Sequence, residues 1–346
     1  MPPFDPSAAF DPSAAAAPDA GVFGLPHDAA TAGIVLIPVP FAATVSYGGG
    51  AERAPDAILA ASRQVDLYDH QFGRVYERGI HLLPADPRLL PAHAAARALA
   101  TPIIARGGAT PADRAAIARI DAAGDVVNDA TYAAASRLFT QGKVVGVVGG
   151  DHSVPYGAIR AAAERHRGLG ILHVDAHADL RVAYEGMRWS HASIMHNVTR
   201  DLAGVARIVQ VGIRDFADDE LAAIHGSGGR IVTHFDQEWR RRAFMGATFD
   251  ALCQEAIAAL PRDVYVSFDV DGLDPALCPH TGTPVPGGLS FAEAAHLLAA
   301  VVASGRRIVA FDLVEVAPGD DEWDANVGAR LLYKLCGAAA ASARVP

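Results

Sequence analysis

Three stretches of this 346-residue chain gather aspartate and histidine at spacings that could hold cations. They are Gly149-Gly150-Asp151-His152-Ser153, His173-Val174-Asp175-Ala176-His177-Ala178-Asp179, and Ser267-Phe268-Asp269-Val270-Asp271-Gly272-Leu273-Asp274-Pro275. Asp175, His177 and Asp179 fall on every second residue, as do Asp269 and Asp271, and extended backbone sends such residues to one side. Four aspartates converging on one small region cannot all ionise unaided, because each raises the pKa of its neighbours. Two divalent ions balance the four charges, with His152 and His177 as neutral ligands. Two ions about 3.5–4 Å apart can clamp a reacting oxygen, and metal binding can bring the pKa of water near neutrality. An oxygen-rich donor set suits Mn²⁺ better than Zn²⁺, with Ni²⁺, Co²⁺ and Fe²⁺ left open. Asp151 and Asp274 adjoin tight turns and His173 shares the ligands' alternation, so these three read as supports for the ligands.

Each block follows a short apolar run, and such runs recur along the chain: Ile34–Pro38, Ile80–Leu83, Val144–Val148, Ile171–Val174, Ile208–Val211, Ile231–Phe235, Val264–Phe268 and Ile308–Leu313. Runs that are apolar throughout suit strands covered on both faces of a parallel sheet. Between them lie stretches with helical spacing, including residues 113–141, 156–165 and 291–303, the last opened by a capping box of Ser290 and Glu293. The alternation predicts an α/β domain of three layers, α/β/α, with a mainly parallel sheet of about eight strands. Ligands in such sheets bind beyond the carboxyl ends of the strands. Residues 34–346 read as one catalytic domain. Residues 1–33 read as a weakly structured arm, with the tandem repeat Phe4–Ala9 and Phe10–Ala15, that could pack on a neighbouring subunit. The Pro- and Ala-rich segment from Pro84 to Pro111 reads as an insertion loop.

Composition narrows the function classes. The 29 Lys+Arg against 39 Asp+Glu give a formal charge of −10, which argues against nucleic acid as a partner. No apolar run approaches the ~18–20 residues of a membrane span. The first basic residue is Arg53, so the start lacks the positive region of a signal or transit peptide. Cys253, Cys278 and Cys336 are odd in number and form no CxxC pair, which fits a reducing compartment. The expected location is the cytoplasm.

Taken together the motifs resemble the ureohydrolase family of arginases, agmatinases, guanidinobutyrases and formiminoglutamases. The likeness runs from about Ile34 to Leu335. Besides the three blocks it rests on Thr44-Val45-Ser46-Tyr47, on Thr281-Gly282-Thr283-Pro284-Val285-Pro286-Gly287-Gly288 and on Leu313-Val314-Glu315-Val316. The resemblance implies that one ion takes His152, Asp175, Asp179 and Asp269 and the other Asp175, His177, Asp269 and Asp271. Asp175 and Asp269 then bridge. It implies attack of an activated water on a guanidinium carbon, with collapse to urea and an amine. Asp179 would orient that water and pass its proton to the leaving nitrogen, and Glu315 would hold the substrate cation. His191, in Trp189-Ser190-His191-Ala192-Ser193, resembles the family's proton shuttle by position, although Ala192 stands where the family usually has glycine. A shuttle near the ordinary histidine pKa of ~6.5 could return a proton at neutral pH. The resemblance also implies a homo-oligomer, trimeric or hexameric.

The substrate is less determined. Leu180–Gly186 replaces the Asn- and Ser/Thr-rich loop with which arginases bind the amino acid's α-carboxylate and α-amine. Agmatine lacks that carboxylate and ranks first. Guanidinobutyrate, formiminoglutamate, arginine and free guanidine are the alternatives. Arg181 could pair with a substrate carboxylate, Glu185 with agmatine's distal amine. Met187 and Trp189 could line the pocket or anchor the loop. A different dimetal hydrolase, such as a phosphoesterase, would need cationic clamps, for which Arg181 and Arg188 are the nearby candidates. A non-catalytic metal-binding subunit is the third class.

Overall fold

A computed structural model describes residues 10–343 of the chain. In chain order the strands are β1 (Ile34–Pro38), β2 (Ile80–Leu82), β3 (Val144–Val148), β4 (Leu169–Val174), β5 (Val205–Ile213), β6 (Ile231–Phe235), β7 (Asp263–Asp269) and β8 (Arg307–Val314). They form one eight-stranded sheet in the order β2-β1-β3-β8-β7-β4-β5-β6, with every pairing parallel.

Alternation within a strand sends neighbours into two separate cores. Ile34 and Leu36 of β1 pack with α1 (Ala54–Ser62), α8 (Phe249–Ala258), α9 (Phe291–Ala303) and α10 (Trp323–Ser342). Val35 and Ile37 pack on the opposite face with α2 (Leu89–Ile104), α3 (Arg114–Thr140), α4 (Tyr156–Arg165) and α5 (Ile194–Asp201). Helices on both faces require strands without a polar side, which is why these runs carry no alternation. The architecture is the three-layer α/β/α fold expected from the pattern. The capping box is present: Ser290 Oγ accepts from Glu293 N–H at 3.2 Å, and Glu293 Oε2 accepts from Ser290 N–H at 2.8 Å.

The segment from Pro84 to Pro111 departs from expectation. Most of it is α2, because its alanines favour helix strongly enough to carry two prolines. Pro91 sits in the first turn, where its missing N–H has no intrahelical partner to lose, and Pro102 sits near the end. The short helices α5, α6 (Asp218–Gly226) and α7 (Asp236–Phe244) complete the set. Toward the N-terminus, Val22, Phe23 and Leu25 are buried in this chain's own core, with the Phe23 ring 4.8 Å from that of Tyr333. The first repeat copy, Phe4–Ala9, lies outside the described residues.

Four strands at the centre of the sheet, β3, β8, β7 and β4, are consecutive neighbours. Because all run the same way, their carboxyl ends open on one rim. Those are the four ends that carry the Asp/His blocks and Glu315.

Candidate metal centre

The rim brings all six expected ligands together. His152 follows β3, and its Nδ1 stands 2.9 Å from Asp175 Oδ2, 3.1 Å from Asp179 Oδ2 and 3.3 Å from Asp269 Oδ2. Asp175 and Asp179 follow β4, and Asp269 ends β7. His177 Nδ1 stands 3.1 Å from Asp271 Oδ2 and 3.5 Å from Asp175 Oδ1. Donor atoms of His152, His173, Asp175 and Asp179 lie within 4.8 Å of one another, as do those of Asp175, His177 and Asp271, so the two groups share Asp175, while Asp269 joins through its 3.3 Å approach to His152 Nδ1. The four aspartates and His152 are buried, while His177 faces the opening.

Hydrogen bonding shows what belongs between these groups. Burial pushes Asp312 of β8 up only to about 6, so it is a carboxylate at pH 7 and accepts from Ser267 Oγ at 2.9 Å. Ser267 has spent its one proton there and must accept from His152 Nε2–H, 2.9 Å away. In neutral His152 the lone pair then lies on Nδ1, which is buried, makes no hydrogen bond and faces three carboxylate oxygens. A lone pair among anions is repulsive unless a cation sits between them. The residues fit a pair of divalent ions held by His152, Asp175, Asp179, Asp269, His177 and Asp271.

The pKa shifts say the same in the language of protons. Burial and then the charge of Asp175 push Asp179 up to about 7. Burial, Asp271 and Asp175 push Asp269 well above the carboxylate range. Burial lowers His152 and His177, but hydrogen bonds and charges from the aspartates outweigh it and raise both well above 6.5. Protons take the place of metal charge when no ion is there.

Two further groups stand beside the cluster. Glu315 follows β8 in left-handed backbone (φ 61°), a conformation that disfavours a side chain. Its Oε1 accepts from His152 N–H at 2.9 Å, whereas Oε2 is buried and has no partner among the described residues. Burial and the charge of Asp151 raise its pKa well above 4.5. A Cβ at Gly282 would stand 2.6 Å from Val45 Cγ1 and 3.2 Å from Oε2, so glycine is what lets this turn pack closely against the carboxylate. His191 is buried, and its backbone N–H donates to Thr44 Oγ1 at 3.0 Å, which in turn donates to Asp151 Oδ2 at 3.1 Å. Burial pushes the His191 imidazole down to about 4, so it is neutral at pH 7 and does not keep the value near 6.5 expected of a shuttle.

The loop that delivers His191 is closed at its base. Asp179 C=O accepts from Met195 N–H (3.0 Å) and His196 N–H (3.1 Å), and Arg181 N–H donates to Ala192 C=O (3.1 Å). Trp189 and Met187 anchor it: Met187 is buried against α2 and α3, and Trp189 Nε1–H donates to Asp125 Oδ1 at 2.8 Å. Gly124 makes room, since a Cβ there would lie 2.6 Å from Trp189 Cδ1. Asp151 and Asp274 are turn and loop supports: Asp151 also accepts from Ser153 Oγ (2.5 Å), and Asp274 from Ala276 N–H (2.9 Å).

Residues 32–337 match the arginase family. The chain belongs to the arginase family. It is 34% identical to the N(1)-aminopropylagmatine ureohydrolase of Thermus thermophilus over 307 residues, 88% of this chain and 90% of the relative. It is 33% identical to the proclavaminate amidinohydrolase of Streptomyces clavuligerus, across 90% of this chain and 91% of that one. The solved agmatine ureohydrolase of Thermoplasma volcanium superposes with a TM-score of 0.72 at 24% identity, covering 93% and 94% of the two chains, and supports the fold. This arginase-family ureohydrolase is thus a hydrolase acting on C–N bonds, in a family that depends on a dinuclear metal centre. Among the described residues no helix is long and apolar enough to cross a membrane.

Above the candidate ligands the arginase-family site opens into a cavity of about 310 Å³ lined by Tyr47, Arg181, Tyr184, His191, Asp215 and Thr283, together with His177 and Asp179. Arg181 reaches this cavity but is already engaged, 3.6 Å from Glu220 Oε2 and stacked 4.8 Å over Tyr184. Arg188 lies on the Trp189 ring and beside Asp201, outside the lining. Glu185 does not line the cavity: the left-handed turn at Ala183 and Glu185 carries it away, and its C=O accepts from Ala109 N–H at 3.0 Å. Asp215, which the sequence did not single out, stands at the mouth, 68% exposed and 3.9 Å from His177 Nε2. Its signal was its place two residues beyond the end of β5, on the rim where ligands bind.

Proposed function

We propose that this chain hydrolyses the guanidino group of a small guanidine to urea and an amine, with agmatine ranked first and Mn²⁺ as the ion pair. The observation that carries the guanidine reading is Glu315, a buried carboxylate with one oxygen left unpaired beside the metal ligands. A buried anion held in strained backbone is costly unless it meets a cation. A planar guanidinium satisfies it with paired hydrogen bonds.

When bound, the two ions supply water acidified to near-neutral pKa. The chain's own residues do the rest. Glu315 fixes the guanidinium so that its carbon faces the attacking water. Asp179, buried in the cavity lining, accepts the proton that the water loses and delivers it to the leaving nitrogen as the C–N bond breaks. Urea and the amine leave. His191, neutral at pH 7, accepts and relays protons between the site and solvent.

The cavity favours a cationic tail. Arg181 stands 3.6 Å from Glu220 Oε2 and over Tyr184, while Asp215 at the mouth has no Lys or Arg partner among the described residues. The relatives do not decide the tail, since one is named for aminopropylagmatine and another for proclavaminate. The family likeness supports a cytoplasmic homo-oligomer, trimeric or hexameric, which a solution mass measurement tests. Urea release from agmatine, guanidinobutyrate, arginine and guanidine, and formamide release from formiminoglutamate, test the reaction with Mn²⁺ or Ni²⁺ added. Turnover of agmatine above the others supports the proposal. No product from any of them overturns it.

A further inference from the structure

One layer beneath the ligands, a row of polar side chains crosses five adjacent strands in register. Thr233 of β6 pairs with Gln210 of β5, Gln210 with His173 of β4, His173 with Ser267 of β7, and Ser267 with Asp312 of β8. The last four are fully buried, at positions where a parallel sheet ordinarily places Val or Ile. His173 lies two residues before Asp175 and Ser267 two before Asp269, so each points to the same face as the ligand above it.

The donors and acceptors in this row are determined one from the next. Thr233 Oγ1–H donates to Gln210 Oε1 at 2.7 Å, and Gln210 Nε2 donates to Ala178 C=O at 2.8 Å. Those two bonds allow only one orientation of the amide. Its remaining N–H faces His173 Nδ1 at 3.0 Å, which must accept. His173 then carries its proton on Nε2 and donates to Asp175 Oδ2 at 2.8 Å. At the other end Ser267, donating to Asp312 at 2.9 Å, accepts from His152 Nε2–H at 2.9 Å and so fixes that tautomer.

We infer that the row Thr233–Gln210–His173–Ser267–Asp312 is a positioning device: one end aims Asp175, the other aims His152 Nδ1, and together they set how tightly the ions are held. His173 is thereby a donor to a ligand and not a ligand, although its ring stands within the first ligand group. Gln210 also grips Ala178, so the same amide holds the turn that carries His177 and Asp179.

The inference rests on the two-ion reading of the cluster and not on the guanidine. Its test is therefore Mn²⁺ binding to the full-length protein by competition with a chelator, with free Mn²⁺ read by electron paramagnetic resonance. Gln210→Leu and Ser267→Ala are each expected to weaken Mn²⁺ binding about 10–100-fold while two ions still bind at saturation. His173→Phe is expected to do the same, and His173→Gln, which keeps a donor toward Asp175, to recover most of the loss. Should a buried variant not fold, Thr233→Val at the half-buried end of the row still tests the outer branch, with a severalfold loss expected. Wild-type affinity in Gln210→Leu and Ser267→Ala overturns the inference. So does a drop to one bound ion in His173→Phe with unchanged affinity in Gln210→Leu, which would make His173 a ligand. If the wild-type protein binds none of Mn²⁺, Ni²⁺, Co²⁺ and Fe²⁺, the two-ion reading itself fails, and the inference with it.

Discussion

Glu315→Gln separates the work of the carboxylate from its cost. The substitution keeps the shape and an acceptor for His152 N–H, now 2.9 Å away, and removes the charge that Oε2 holds without a partner. Breaking a buried ion pair by removing one partner costs about 3–5 kcal/mol. If Glu315 holds the guanidinium through the transition state, that loss appears in kcat/KM as a fall of ~10²–10⁴-fold, at 1.36 kcal/mol per factor of ten. Stability should move the other way. Burial and Asp151 raise the Glu315 pKa well above 4.5, so the folded state holds this proton more tightly than the unfolded state. Stability from such a group is present below about pH 4.5 and is lost as pH rises through the folded pKa. Glutamine cannot ionise. The metal-free variant should therefore match wild type near pH 4 and melt a few degrees higher at pH 7–8. Urea release at saturating Mn²⁺, bound metal and melting curves at three pH values make the measurement. Activity within threefold of wild type would refute the substrate role, and a lower melting temperature at pH 8 would refute the burial cost.

Asp269→Asn should lose both bound ions and turnover, because Asp269 lies within 3.3 Å of His152 Nδ1 and its charge cannot be replaced by an amide; metal analysis beside urea release checks it. His191→Asn should keep two ions and slow turnover by ~10²–10⁴-fold, the range for a proton-transfer group, and unchanged rates would remove His191 from the mechanism. Mn²⁺ binding should release protons near pH 6.5, because Asp179 (about 7), His152 and His177 hold them in the metal-free fold. These three pKa values are all raised, so the metal-free protein should lose stability as pH rises through neutrality while metal affinity grows; titration calorimetry in two buffers reads the protons, and a pH-independent affinity would contradict it. Gly124→Ala should lower stability by about 1–3 kcal/mol and slow turnover together, because the new Cβ displaces Trp189 and with it the loop that carries His191; ion content should not change.

The clustering of the candidate ligands was legible because two rules coincide in them. Strands covered on both faces are uniformly apolar, so their ends are easy to find, and parallel order brings those ends to one rim. Alternation then places Asp175, His177 and Asp179, and Asp269 with Asp271, on common faces. The polar row beneath them left a fainter trace of the same kind. Gln210 in Ile208–Val211 and Asp312 in Ile308–Leu313 each interrupt an apolar strand, a costly placement unless something receives the polar atoms. What the sequence concealed depended on backbone that residue type disfavours. Ala183 and Glu185 adopt left-handed φ angles of 47° and 54°, and nothing in their identity announces a turn that swings Glu185 out of the cavity. The prolines of α2 concealed a helix for the opposite reason, since both sit near its ends.

Asp179 and Glu315 share an unusual combination: left-handed backbone, deep burial and a carboxylate. Backbone of this kind costs on the order of 1–3 kcal/mol per residue, and each carboxylate adds its own loss of hydration. Contacts with His152 recover only part of this cost, because among the described residues Glu315 Oε2 has no partner and Asp179 is pushed up to about 7 among other acids. The two positions lie at the ends of β4 and β8, on either side of β7 and its candidate ligands Asp269 and Asp271. The strain is thus spent where cations would recover it: divalent ions at Asp179, a substrate guanidinium at Glu315. A fold that held these carboxylates only for structure would gain by replacing both, glycine suiting the backbone and an apolar neighbour the burial. Two carboxylates placed in such backbone at one rim, one of them with a buried oxygen that has no partner among the described residues, are what a site for two kinds of cation would require.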